Sequence, residues 1–217
     1  MRKTETPVTT QASKFRVIVC DPPWGFNDRL KMSTTRRGAA SHYPTLTAAT
    51  ISELRLGELA EEDSVLVLWY PDSFLRDAIR CFDSWGFRQT QQWTWVKSSK
   101  TETRLDDDVP DDIRLAFGMG RLARNCCEHM LVGVRGSPYR HLVSHSVRNV
   151  FVRPSTPHST KPEAVQDALD EMFPGSNRLE VFARRQRPGW TCIGNESPST
   201  DDEDIRDTLK RMLEGVQ

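Results

Sequence analysis

The run Ser64-Val65-Leu66-Val67-Leu68-Trp69-Tyr70 is apolar on both of its faces once Ser64 is passed. A strand of that kind must be covered on both sides, the condition met by a parallel sheet sandwiched between helices. Phe15-Arg16-Val17-Ile18-Val19-Cys20 is a second such run. It stops at Asp21-Pro22-Pro23, where proline has no amide hydrogen with which to continue a ladder. Further strands are expected at 91–96, 129–134, 147–152, 178–183 and 191–193. Helices are expected at 47–59, with Ile51, Leu54 and Leu59 inward, and at 72–85, with Phe74, Leu75, Ile79 and Phe82 on one side. Two more are expected, one over 160–173 and one from Thr200 with Ile205, Leu209, Met212 and Leu213 as its apolar face. Thr160 with Glu163, and Thr200 with Glu203, have capping-box spacing, and Pro162 suits a first helical turn. This alternation predicts an α/β fold with a doubly wound, mostly parallel sheet. Ligands of such sheets bind beyond the carboxyl ends of the strands, which points to the loops after Cys20, Tyr70, Val134, Val152 and Ala183. Residues 15–196 read as one domain, 1–14 as a flexible tail, and 197–217 as an acidic linker followed by an amphipathic helix.

Composition narrows the classes. Thirty Lys and Arg balance thirty Asp and Glu, so bulk charge does not carry nucleic-acid binding, although a local basic patch can. No apolar run approaches the roughly 18 residues that cross a bilayer, and 1–13 lacks the apolar core of a secretory signal. A soluble, cytoplasmic protein is expected, or a nuclear one in a eukaryote. The five cysteines, odd in number and scattered, suggest buried thiols rather than a disulfide framework. His141 and His145, with Glu128 and His129, form no H-E-x-x-H pattern, so no metal is expected.

The tetrapeptide Asp21-Pro22-Pro23-Trp24 directly follows a buried strand. An exocyclic amine on a nucleobase is a poor nucleophile, because its lone pair is delocalised into the ring. A carboxylate and a backbone carbonyl held side by side accept both of its hydrogens and draw the nitrogen toward tetrahedral geometry. Asp21 and the Pro22 carbonyl suit that task, the two prolines supply rigidity, and Trp24 is placed to stack on a base turned out of its helix. The following basic segment, with Arg36 and Arg37, suits phosphate contacts.

The order of several motifs resembles the MT-A (seventy-kilodalton-subunit) family of N6-adenine methyltransferases over residues 15–196. Val17–Trp24 is similar to its catalytic loop, and His42-Tyr43-Pro44-Thr45-Leu46 to the segment after its active-site loop. Val65–Trp69 and Trp95-Val96-Lys97 resemble two of its strands, and Cys127–Gly136 its Glu-His segment. Arg153-Pro154-Ser155, His158 and Lys161-Pro162-Glu163 are similar to its Lys-Pro stretch. Leu179–Arg184, with Pro188-Gly189-Trp190 and Gly194-Asn195-Glu196, resembles its cofactor motif. The resemblance implies a Rossmann-like S-adenosylmethionine-dependent methyltransferase fold with permuted motif order. It implies Asp21, Pro22, Pro23 and Trp24 as catalytic residues. Lys161, on the first turn of a helix, is implied as the partner of the cofactor's carboxylate, with Arg184, Asn195, Glu196 and Asp21 completing that site. Trp24, Tyr43, Arg36 and Arg37 are implied on the substrate side. Arg185-Gln186-Arg187 stands where the mRNA enzyme has a His-Asn pair. The substrate implied is nucleic acid, DNA ahead of RNA, and a homodimer or a heterodimer with a related subunit is a further expectation. The rival reading is a catalytically silent partner subunit that helps another methyltransferase hold nucleic acid; the intact Asp21, Trp24 and Lys161 favour an enzyme.

Overall fold

The structure, a computed structural model, describes residues 14–25, 45–99, 114–118, 120, 122–156, 160–200 and 203–215. Seven strands form one sheet: β1 (Phe15–Cys20), β2 (Ala60–Tyr70), β3 (Arg88–Ser98), β4 (Cys127–Arg135), β5 (Val150–Pro154), β6 (Arg178–Val181) and β7 (Thr191–Ile193). Their spatial order is β5-β3-β4-β2-β1-β6-β7. β1 pairs in parallel with β2 and β6, β6 with β7, and β3 with β5, whereas β4 runs antiparallel to both β2 and β3. The fold is therefore an α/β, mostly parallel sheet with one reversed strand.

Both faces of the sheet are covered, as the unbroken apolar runs require. Val17, Val19, Val65, Val67, Trp69 and Trp95 face the side of α4 (Ala164–Met172), where Val165 and Leu169 are fully buried. Ile18, Cys20, Leu66 and Leu68 face the other side, against α1 (Ala48–Ser52), α2 (Leu56–Leu59), α3 (Leu75–Trp85) and α5 (Ile205–Glu214). Ile205 and Leu209 of α5 are buried in that second core.

Three local expectations are corrected. The 47–59 helix is two short ones broken at Glu53–Arg55. α3 buries Ala78, Cys81, Phe82 and Trp85, a stripe at helical spacing, and leaves Leu75 and Ile79 39% and 37% exposed. Neither capping box forms: α4 begins at Ala164 after Lys161 and Pro162, with no side-chain cap from Glu163, and α5 is capped by Asp204, which accepts from the Arg206 N–H. Glu163 instead pairs with Arg185 and Arg187, and Glu203 with Arg211, so tertiary ion pairs have taken the carboxylates that a cap needs. Among the described residues no helix is long and apolar enough to cross a membrane.

Gly133 lets α3 approach β4. A Cβ there would meet the Phe82 ring and lie 2.7 Å from the Arg88 carbonyl oxygen, neither of which can withdraw. Gly133→Ala is expected to destabilise the fold by about 1–3 kcal/mol through overpacking. The check is the denaturation midpoint, read at an unchanged m value.

Candidate active site

Parallel strands end together, and here the ends of β1, β2, β3 and β6 meet the start of β4. Reversal places Cys127 and Glu128, rather than the loop after Val134, beside the end of β2: Tyr70 pairs with His129, whereas Val134 pairs with Val65 at the far end. The expectation that the loop after Val134 borders the crevice is therefore corrected. Two adjoining cavities lie there. One, of about 250 Å³, is walled by Asp21, Pro22, Pro23, Trp24, Tyr70, Lys97, Cys127 and Glu128 among others. A smaller one, of about 40 Å³, is walled by Val19, Thr160, Gln166, Glu180, Phe182 and Arg185 among others. Asp21, Trp69, Lys161 and Arg184 border both.

Asp21 is held by what precedes it. Its N–H donates to the Val181 carbonyl at 3.3 Å, extending the β1–β6 pairing by one residue before the prolines end it. Its Oδ2 accepts from Lys161 Nζ at 2.9 Å, and the same ammonium lies 3.3 Å from Glu128 Oε2. Glu128 Oε1 in turn meets Lys97 Nζ at 2.5 Å. Asp21, Lys161, Glu128 and Lys97 thus form an alternating chain of four charges that sums to zero. Lys161 is the most enclosed, its side chain 14% exposed, and its Nζ sits 5.3 Å from the Trp69 ring centroid.

Burial opposes the Lys161 charge, but Asp21 and then Glu128 outweigh it and hold this pKa above the ordinary lysine value. Burial likewise pushes the Glu128 carboxyl up, yet Lys161 and Lys97 together hold it below its ordinary 4.5. A depressed folded value means that this stabilisation is present above the unfolded value and is lost as acid carries the pH through the folded one. Glu128→Gln is therefore expected to show a shallower fall in Tm than the parent once the pH drops below about 4.5. Thermal unfolding followed from neutral pH into acid reads this directly, and equal slopes would count against the coupling.

The remaining predicted residues separate. Trp24 walls the larger cavity but is no open platform: its ring is 3% exposed, Nε1 donates to the Trp69 carbonyl at 2.9 Å, and Phe74 packs 5.2 Å away. The Pro22 carbonyl already accepts from the Trp24 N–H at 2.8 Å, which leaves it one lone pair. Lys161 precedes α4 rather than standing on its first turn. Arg184 borders both cavities and lies 4.0 Å from Glu196. Asn195 and Glu196 are exposed and wall neither cavity; Asn195 Oδ1 accepts from the Ile205 N–H at 2.9 Å and so helps begin α5. Tyr43, Arg36, Arg37 and the acidic stretch 106–112 lie outside the described residues. Among the described residues no cluster suited to a metal ion occurs.

Arg187, at the departure from the His-Asn pair, is bound by three carboxylates of α4 and its cap: Glu163 at 2.9 Å, Asp167 at 2.6 Å and Asp170 at 2.7 Å. It clamps the loop carrying Arg184 onto the helix that follows Lys161. Sequence reasoning left Glu128, Lys97, Gln166 and Glu180 without roles. Among the described residues the atoms Glu180 Oε2 and Gln166 Oε1 are buried without hydrogen-bond partners, and burial, only partly offset by Arg185 and a hydrogen bond from Gln166, pushes the Glu180 carboxyl up. Phe182, just after β6 on the smaller cavity's wall, has φ of 65°, the left-handed region that non-glycine residues adopt at a cost.

The chain is 26% identical over 200 residues to the Type II methyltransferase M.MunI of Mycoplasma sp, covering 85% of this chain and 78% of that protein. It is 27% identical over 210 residues to the N(6)-adenosine-methyltransferase subunit METTL3 of Danio rerio, covering 94% of this chain and 32% of that one. With the human METTL3 catalytic subunit it shares 27% over 187 residues, 84% of this chain and 28% of the relative, so it spans about a third or less of these animal proteins. Residues 15–196 match the MT-A70 family as a whole, and the chain belongs to that family.

Proposed function

We propose that the chain transfers a methyl group from S-adenosylmethionine to the exocyclic N6 of adenine in nucleic acid, with DNA ahead of RNA. The observation that carries this reading is a carboxylate at a cavity: Asp21, fixed by Lys161, borders both hollows rather than turning into the core. The relatives named as an N(6)-adenosine methyltransferase and a Type II methyltransferase support it.

The residues present suit the cofactor. Its carboxylate calls for cations, which Lys161 and Arg184 provide. Its ammonium and ribose hydroxyls call for acceptors, and the atoms Glu180 Oε2 and Gln166 Oε1 are two buried acceptors with no hydrogen-bond partner among the described residues. Glu196 lies 4.0 Å from Arg184 at the outer edge, with Asn195 next to it in the chain. The cofactor, when bound, supplies an electrophilic methyl carbon. Asp21 accepts one N6 hydrogen and the second lone pair of the Pro22 carbonyl accepts the other, so the nitrogen leaves conjugation with its lone pair aimed. Trp24 and Pro23 wall the base, and Tyr43, Arg36 and Arg37 serve the substrate side. The displaced proton passes to water. Placement and preorganised charge carry the rate.

Tritiated transfer from S-adenosylmethionine to unmodified DNA and RNA oligomers tests the reading. Label confined to adenine, greater in DNA, is expected. Equal labelling of oligomers that lack adenine removes the substrate assignment, and cofactor binding without any transfer favours a silent partner subunit.

A further inference from the structure

Cys126 and Cys127 take no part in the mechanism above, although Cys127 belongs to the larger cavity's wall. Successive residues of a regular strand send their side chains to opposite faces, which keeps neighbouring thiols apart. Here the two Sγ atoms are 3.9 Å apart. The cause is local. Asn125 Oδ1 accepts from the Cys127 N–H at 3.0 Å, a side-chain turn that bends the chain as it enters β4. The Lys97 N–H donates to the Cys126 carbonyl at 2.8 Å. Both ends of the peptide unit joining the two cysteines are therefore held, and the thiol pair is organised in advance. Cys20, Cys81 and Cys192 are buried within the core, whereas these two are half-buried.

We propose that Cys126 and Cys127 form a two-sulfur chelating site for trivalent arsenic compounds, and that filling it obstructs the adjoining cavity. The second half rests on reading that cavity as the cofactor and base site. With an organoarsenic oxide, two S–H bonds break, two S–As bonds form, and the oxide oxygen leaves as water with both protons, with no change of oxidation state. A bridging atom suits the observed gap better than a direct S–S bond, which needs about 2.05 Å and an oxidant. Burial first, then the neighbouring Cys126, pushes the Cys127 thiol up to about 11, so it is a poor thiolate for single-site alkylating agents. A ligand that binds both sulfurs gains because its second bond forms within the complex.

The test treats the folded full chain with phenylarsine oxide and reads intact mass, alongside binding of S-adenosylhomocysteine. One adduct per chain with loss of one water is expected, reversed by a dithiol but not by a monothiol. In Cys126→Ser, which changes a residue outside the cavity wall, adduct occupancy falls at least tenfold and methyl transfer becomes resistant to the reagent. No adduct in the parent, or an adduct undiminished in Cys126→Ser, overturns the site. An adduct that leaves S-adenosylhomocysteine binding unchanged overturns the obstruction. The mass measurement does not depend on methyl transfer. A chain that methylates nothing yet shows this pattern upholds the chelating site and counts only against the reading of the cavity.

Discussion

Asp21→Ala is expected to abolish measurable methyl transfer while the chain stays folded, and Asp21→Asn to lower kcat by about 10²–10³-fold, the scale of losing one preorganised group aimed at the reacting centre. The carboxylate is the only charged acceptor that the tetrapeptide presents to the cavity, and the Pro22 carbonyl has one of its two lone pairs taken by the Trp24 N–H. Folding survives because the Asp21 side chain is 23% exposed and Lys161 keeps Glu128 as a partner. The two variants separate charge from shape, since asparagine retains one acceptor oxygen and loses the ionic partner of Lys161. Single-turnover transfer from S-adenosylmethionine to an adenine-containing oligomer is the measurement, with circular dichroism as the folding control. An Asp21→Ala protein that still labels adenine within tenfold of the parent removes Asp21 from the chemistry.

Lys161→Met is expected to cost about 3–5 kcal/mol, because it strips the enclosed Asp21 carboxylate of its cation and leaves Glu128 with Lys97 alone. For a domain of this size that corresponds to a drop in Tm of roughly 10 °C. The alternative is a modest surface-pair effect near 1 kcal/mol, which the 14% exposure of the Lys161 side chain argues against. A second substitution decides between lost attraction and stranded charge: Lys161→Met with Glu128→Gln should recover part of the loss, since it removes one of the two carboxylates that Lys161 had paired. If the double variant is as unstable as the sum of the singles, like-charge repulsion is not the cause. Lys161→Arg keeps the charge but brings a planar fork to a point-charge site, so it should fold better than the methionine variant and still bind cofactor poorly.

The strand runs were legible because β1 and β2 are apolar on both faces, and only burial on both sides explains that. Direction was not legible. The apolar run His129–Val134 carries no mark of its direction, and nothing in its side chains tells that β4 runs against its neighbours; hence the misplaced loop after Val134. Asp21 and Lys161, 140 residues apart, were each visible from local chemistry and meet at 2.9 Å. Glu128 was quoted as part of a motif and weighed as a metal ligand, but not as a partner of Lys161, because that role depends on the reversal that brings the start of β4 to the site. The face of α3 was misread by weighting large residues, Leu75 and Ile79, over the better-spaced Ala78, Cys81 and Trp85. Trp24 follows two prolines in a loop, which suggests an open ring; a bond from its indole nitrogen to the Trp69 carbonyl sets it into the wall instead.

The reversed strand has a consequence for how such a protein can change. β3 leaves the sheet at Ser98 and β4 re-enters it at Cys127, and both ends flank the same opening, with Lys97 on one side and Glu128 on the other. Whatever stretch of chain is inserted between them emerges at the rim and returns to it, while every ladder in the sheet keeps its register. If the chain acts on nucleic acid as proposed, new specificity can therefore be acquired by rewriting one excursion, and the acid, its cation and the scaffold beneath them are left alone.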